Sequence, residues 1–205
     1  MIPLPTSPAC ERNRQPILEV LREEFRDRSC VLEIGSGTGQ HAVFFGAALP
    51  QLIWQTSDRP DNHESISVWL HHAALENVLP PLALDVETFD PAELSFDAVF
   101  SANTAHIMSL DAVRCMFRLV GRVLEADGVF CLYGPFNFEG GFSSDSNAAF
   151  DRSLKQRDPA MGIRDLEELD RFGAAAALSR VRLYAMPANN HIAVWQKQRQ
   201  EDSAT

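Results

Sequence analysis

Basic residues are in short supply in this 205-residue chain: 18 Lys and Arg stand against 28 Asp and Glu, leaving a formal charge of −10. Non-specific grip on phosphates depends on clustered cations, so this balance argues against a nucleic-acid partner. The densest basic stretch, Arg12, Arg14, Arg22, Arg26 and Arg28, is interrupted by Glu11, Glu19, Glu23, Glu24 and Asp27 and reads as a solvated helix face. Long apolar runs are missing too. The longest, Ala42 to Leu49, is far short of the roughly 20 residues of a membrane-spanning helix, so no membrane partner is expected. The opening MIPLPTSP contains three prolines and no apolar run, unlike a signal peptide. Cys10, Cys30, Cys115 and Cys131 never approach a C-x-x-C spacing and read as reduced thiols, which points to the cytoplasm. No His, Cys, Asp and Glu grouping has zinc-ligand spacing, so no metal is expected.

What is present is an alternation of short apolar runs with segments of helical period, the pattern of an α/β fold in one domain spanning 1–205. An amphipathic helix is expected at about 12–28, with Ile17, Leu18, Val20, Leu21 and Phe25 inward. Strands are expected at Cys30 to Ile34, Leu52 to Thr56, Pro81 to Leu84, Phe96 to Ser101 and Val129 to Tyr133, with helices at 40–48, 61–75 and 110–125 between them. Such a series folds as a doubly wound, Rossmann-like sheet with right-handed crossovers. Arg180 to Met186 and Ile192 to Gln196, joined by the turn cluster Pro187-Ala188-Asn189-Asn190, form an antiparallel hairpin that completes seven strands. The alternation breaks at Gly134-Pro135, and about 135–164 reads as an insertion rather than a second core, a lid with a hinge at Gly140-Gly141.

Residues 31–39, Val-Leu-Glu-Ile-Gly-Ser-Gly-Thr-Gly, place a glycine loop between a buried strand and a helix, the context of a nucleotide-binding turn. A dinucleotide fingerprint needs a third glycine where this chain has Gln40, which disfavours an NAD-dependent oxidoreductase. An acidic residue beside the loop, Glu33, would repel a pyrophosphate and suits a cofactor that carries positive charge. Asp58 and Asp85 fall at the ends of strands two and three, where open α/β sheets bind ligands. A carboxylate at Asp58 can accept two ribose hydroxyls. Asp85, flanked by Leu84 and Val86, can face an adenine. Each acid taken singly reads equally well as a helix N-cap; together, in register with the loop, they read as a site.

Glu33-x-Gly35-x-Gly37-x-Gly39 with Asp58 and Asp85 resembles the class I S-adenosylmethionine-dependent methyltransferases, and the final hairpin fits their seven-stranded sheet. Glu-Arg-Asn-Arg-x-Pro-Ile (11–17), Gly-Ser-Gly-Thr-Gly-Gln-His (35–41), Trp-Gln-x-Ser-Asp (54–58), Tyr-Gly-Pro-Phe (133–136), Ser-Asn-x-x-Phe-Asp (146–151), Gly-Ile-Arg-Asp (162–165) and Met-Pro-Ala-Asn-Asn (186–190) resemble the methyltransferase-like protein 26 family. The resemblance implies S-adenosylmethionine as cofactor, with Gly35, Ser36, Gly37 and Gly39 beside its methionine part. Glu33 would orient the loop or the amino group, Asp58 would hold the ribose, Asp85 and Val86 would meet the adenine, and Asn103 would line the methionine end. It supplies no substrate.

Methyl transfer asks the protein to orient, desolvate and, where needed, remove a proton. His106, after strand four, is the candidate proton acceptor, although a histidine tethering its own loop fits the same position. Tyr133 is the second catalytic candidate, within an aromatic group with Phe136, Phe138 and Phe142 that reads either as packing or as a surface for a cation. Asn13, Phe136, Asn147 and Arg164 are the candidates for holding a small-molecule acceptor. Asn103-Thr104-Ala105-His106 is unlike the Asn-Pro-Pro-Tyr loop of amino-methylating nucleic-acid enzymes. A cofactor-binding module without transfer remains the rival reading.

Overall fold

A computed structural model of the chain describes residues 4–92 and 94–199. In chain order it contains α1 (Pro8–Glu24), β1 (Cys30–Ile34), α2 (Gln40–Ala48), β2 (Ile53–Asp58), α3 (His63–Ala73), β3 (Val78–Ala83), β4 (Phe96–Ala102), α4 (Leu110–Val123) and β5 (Leu124–Gly134). Then come β6 (Phe136–Asn137), α5 (Asp145–Arg157), β7 (Arg164–Asp165), α6 (Leu166–Ala175), β8 (Leu178–Met186) and β9 (Asn190–Lys197). Seven strands form one sheet in the order β3-β2-β1-β4-β5-β9-β8, parallel from β3 to β5, with β9 antiparallel to both β5 and β8.

The central strands carry apolar residues on both faces because both faces are covered. Val31, Phe100 and Cys131 point to the layer of α1 and α2, where they meet Ile17, Leu21, Phe45 and Trp54. Their neighbours Leu32, Val99, Phe130 and Leu132 point to the layer of α4 and α6, against Val113, Phe117, Val120 and Leu169. The reversal of strand order between β1 and β4 opens a crevice at the carboxyl ends of the strands.

Several element ends differ from the sequence expectation. The first helix starts at Pro8 rather than near 12, because Ser7 caps it through the Cys10 N–H and proline suits the first turn. It ends at Glu24, not 28. The third strand begins at Val78, ahead of Pro80 and Pro81; it lies at the sheet edge, where a missing N–H costs no ladder bond. The insertion after β5 is anchored at several points. Its short strands β6 and β7 pair in parallel, Asp151 Oδ1 accepts from the Ile163 N–H at 2.9 Å, and Leu154 is fully buried.

Phe117 of α4 is fully buried, edge-on to Phe130 at 5.5 Å and to Trp195 at 5.1 Å, and so joins α4, β5 and β9. Phe117→Ala is expected to cost about 3–5 kcal/mol of stability in urea unfolding. A loss under about 1 kcal/mol would mean that the neighbours close the gap.

Candidate active site

The glycine loop leaves β1 with the Gly35 and Ser36 N–H groups both donating to the Ser57 carbonyl, at 3.0 and 2.9 Å. Gly35, Gly37 and Gly39 all have positive φ, but their surroundings differ. A Cβ at Gly35 would lie 2.6 Å from Thr104 Cγ2, and one at Gly39 3.1 Å from the Ile66 Cα, so these two allow close packing of the loop against β4's end and α3. Nothing lies within 4 Å of a Cβ built at Gly37. Gly37 is the loop glycine that faces open space, and Gly39 is placed away from the cleft lining.

Beneath the loop, Glu33 is buried. Its Oε2 accepts from Ser36 Oγ at 2.9 Å and from Trp54 Nε1 at 3.1 Å, and Ser36 Oγ in turn accepts from the Ser57 N–H at 3.1 Å. Burial pushes its carboxyl up to about 7, against the pull of the Trp54 and Ser36 hydrogen bonds. The structure therefore places Glu33 as the anchor of the loop and not as a wall of the cleft.

A cleft of about 1250 Å³ runs from this loop to the far side of the strand ends. Asp58, at the end of β2, turns one carboxylate oxygen to the Gly37 N–H at 2.7 Å and the other to the Arg59 N–H and Asn62 Nδ2, at 2.7 and 2.8 Å. Asp85 and Val86 line the same end, with Asp85 Oδ1 accepting from the Glu87 N–H at 3.0 Å. Asn103 follows β4 in the left-handed region, φ 60, which asparagine tolerates better than most residues, and its N–H donates to the Tyr133 carbonyl at 2.9 Å. Ser36, Gly35 and Gly37 complete the wall.

Asn13, His106, Tyr133 and Asn147 line the other end. His41, first turn of α2, is buried, and desolvation with the nearby Arg14 lowers it to about 4, so the ring is neutral. Its Nε2 bonds Asn13 Oδ1 at 2.8 Å, and the Asn13 amide faces Tyr133, whose hydroxyl is raised by burial in spite of that contact. His106 is likewise lowered to about 4, chiefly by burial and then by Arg164 and Arg157, and lies edge-on to Phe150 at 5.3 Å. Among the described residues its ring has no hydrogen-bond partner, while its own carbonyl accepts from the Gly162 N–H at 3.0 Å. Asn147 donates Nδ2 to Ser143 Oγ at 2.7 Å and to the Asn189 carbonyl at 3.1 Å, clipping α5 to the β8–β9 turn.

Besides Glu33 and Gly39, two of the candidates for holding the acceptor also sit outside the cleft lining. Phe136 is 1% exposed in the core with Leu132 and Leu166. Arg164 donates to the carbonyls of Ala105, Met108 and Ala160, which fixes the loop carrying His106 to the insertion instead of presenting a free guanidinium. The cleft also contains residues the sequence reading did not single out, among them Arg12, Thr38, Asn62, Ile107, Phe150 and Asn190. Arg12 lies on α1, whose start at the Ser7-Pro8 cap is a signal visible in the sequence, and lines the cleft. Among the described residues no cluster of His, Cys, Asp and Glu could hold a metal ion, all four cysteines are free thiols, and no helix is long and apolar enough to cross a membrane.

Burial gives Glu33 a pH signature. Its ordinary value of 4.5 becomes about 7 on folding, so its contribution to stability is complete below about 4.5 and is lost as pH rises through about 7. His41 and His106 act in the opposite sense, contributing above their ordinary 6.5 and losing that contribution as pH falls through about 4. Glu33→Gln removes only the first effect. Relative to the parent it is expected to gain stability between pH 5 and pH 8, by at most about 3 kcal/mol, in thermal unfolding. An equal offset at both pH values would mean that Glu33 is ionised in the folded protein.

The fold is shared with several solved methyltransferases. An O-methyltransferase family protein from Burkholderia thailandensis superposes with a TM-score of 0.81 at 15% identity, over 94% of this chain and 58% of the other. The S-adenosylmethionine-dependent methyltransferase SibL matches at 0.78 and 21% identity, over 93% and 56%. Human N-acetylserotonin methyltransferase, solved with S-adenosylmethionine, matches at 0.76 and 13% identity, over 93% and 53%. The chain thus spans little more than half the length of each of these proteins. At sequence level, residues 4–197 match the family described as protein of unknown function (DUF938), and the chain belongs to that family.

Proposed function

We propose that the protein is an S-adenosylmethionine-dependent methyltransferase of the methyltransferase-like protein 26 kind, acting in the cytoplasm on a small-molecule acceptor. The observation that carries this reading is one continuous cleft joining the open face of Gly37, Asp58 and Asp85 to His106, Asn147 and Phe150. The donor set fits the cofactor: Asp58 for the ribose hydroxyls, Asp85 with Val86 for the adenine, and the Gly37 face with Asn103 for the methionine part. S-Adenosylmethionine, when bound, supplies an activated methyl group on a sulfonium.

The chain's own residues bind, orient and dry the reacting groups. Asn147 spends both amide hydrogens on Ser143 and Asn189, which leaves Oδ1 to accept from an acceptor O–H or N–H. His106, lowered to about 4 by desolvation, is neutral at ordinary pH and offers a ring nitrogen to the acceptor as a hydrogen-bond partner and weak base. Tyr133, held protonated by burial, is a hydrogen-bond donor rather than a base. The insertion supplies the far wall, and the Arg164 and Gly162 bonds favour a wall over a lid that swings as a whole.

The rival cofactor readings fit less well. A pyrophosphate at the start of α2 would meet the Glu11 carboxylate, which accepts from Gln40 Nε2 at 2.9 Å, and the start of α1, whose Ser7 N–H donates to Gln40. A module that binds cofactor without transfer has no use for a cleft that continues to Phe150.

Calorimetry with S-adenosylhomocysteine tests the cofactor half. Wild type is expected to bind it and not NAD, and Asp58→Ala to lose about 1.5–3 kcal/mol, more than tenfold in affinity. An unchanged dissociation constant would remove Asp58 from the site. For the chemistry, cell extract incubated with labelled cofactor identifies the acceptor by mass spectrometry. His106→Gln should then lower kcat while leaving S-adenosylhomocysteine affinity intact, and the wild-type rate should show no histidine inflection between pH 6 and 8. An inflection near 6.5 that disappears in His106→Gln would mean that the ring is solvated during turnover.

A further inference from the structure

The carboxylates of the cleft are confined to one end, which they share with Arg59. All of its carboxylates, Asp58, Asp61, Asp85 and Glu87, come from the end of β2 or the segments that follow β2 and β3. The opposite end is built by α1, the ends of β4 and β5, α5 and the β8–β9 turn, and brings no carboxylate at all. Its one formally charged lining side chain is Arg12.

Arg12 is exposed, and among the described residues no acidic group lies within salt-bridge distance of it. Its neighbour Glu11 is engaged elsewhere, with Arg14 at 2.8 Å and Gln40 at 2.9 Å. In a protein of net charge −10, a guanidinium at the carboxylate-free end of the cleft, with no acidic partner in salt-bridge distance among the described residues, is an uncompensated positive centre. The same end of the cleft is lined by two exposed apolar side chains, Ile107 (46%) and Phe150 (38%), available to cover an apolar ligand body.

Taking the methyltransferase reading above as its basis, we infer that the acceptor is a small monocarboxylate with an apolar or aromatic body, its carboxylate held by Arg12 and its body against Ile107 and Phe150. A guanidinium presents a planar fork that matches a carboxylate with two parallel hydrogen bonds. One such group balances a single negative charge and falls short of a phosphate dianion. An ammonium-bearing acceptor would meet Arg12 and find no carboxylate at this end.

The test uses the full chain saturated with S-adenosylhomocysteine and four matched probes: 4-hydroxybenzoate, 4-hydroxybenzamide, tyramine and 4-hydroxyphenyl phosphate. Titrations followed by ligand-observed NMR or calorimetry are expected to give 4-hydroxybenzoate at least about tenfold tighter binding than the other three. Arg12→Gln should abolish that preference, Arg12→Lys should keep part of it, and both should bind S-adenosylhomocysteine within about twofold of wild type. The inference is overturned if the amide, amine or phosphate binds as well as the carboxylate, if no saturable carboxylate binding occurs up to about 10 mM, or if Arg12→Gln retains the preference. A loss of more than about tenfold in S-adenosylhomocysteine affinity in Arg12→Gln also overturns it, by assigning the guanidinium to the cofactor. Wild type that fails to bind S-adenosylhomocysteine would instead strike at the methyltransferase reading itself, so the two failures are distinguishable.

Discussion

A carboxyl group with almost no access to water holds the site together. Glu33 sits on the central strand β1 and reaches both Ser36 in the loop and Trp54 on β2, while Ser36 reaches back to the Ser57 N–H. Burying such a group is costly unless its hydrogen bonds are made, and two donors on Oε2 are what make Glu33 tolerable there. The loop is consequently tied to β2 from below as well as through the Ser57 carbonyl. Asp58, next in the chain to Ser57, completes the lock by accepting the Gly37 N–H from the cleft side. The open face at Gly37 depends on this frame, since a loop held less firmly could close over its own glycines.

The parts of this arrangement that repeat along the chain were readable from sequence. Apolar runs marked the central strands β1, β4 and β5, which a doubly covered sheet needs, and the three-and-four spacing of Leu110, Val113, Phe117 and Val120 announced α4. The glycine loop and the carboxylates at the strand ends were also legible, since backbone geometry fixes where such residues must lie. Direction within the loop was not. Whether Glu33 points into the cleft or beneath it depends on a partner, Trp54, that is 21 positions away in sequence.

The same reason explains Phe136 and Arg164. Both follow breaks in the alternating pattern and look available for a ligand, yet one is absorbed by the core and the other by three carbonyl groups. A guanidinium with five donors satisfies the orphaned carbonyls of irregular backbone efficiently. The loop after β4 and the end of the insertion are such backbone, and Arg164 binds them to one another. Arg12 shows the converse: its stretch reads in sequence as a solvated helix face, yet Arg12 lines the cleft, and its neighbour Glu11 pairs with Arg14 and Gln40.

The first helix therefore does more than cover a sheet face. Asn13 is fixed by a neutral His41, Gln40 is held by Glu11 and Ser7, and Arg14 lies over the Phe44 ring at 4.9 Å. These contacts all join α1 to the first two turns of α2, the helix that the glycine loop feeds. Because His41 is desolvated, it cannot readily become charged to bond water, and so its proton stays committed to Asn13. The position of α1, and with it the end of the cleft that Asn13 and Arg12 line, is thus tied to the helix that the glycine loop feeds. The polar contacts hold the start of α1 to the helix that follows the loop, while the apolar contacts of Ile17 and Leu21 hold the rest of α1 to the sheet.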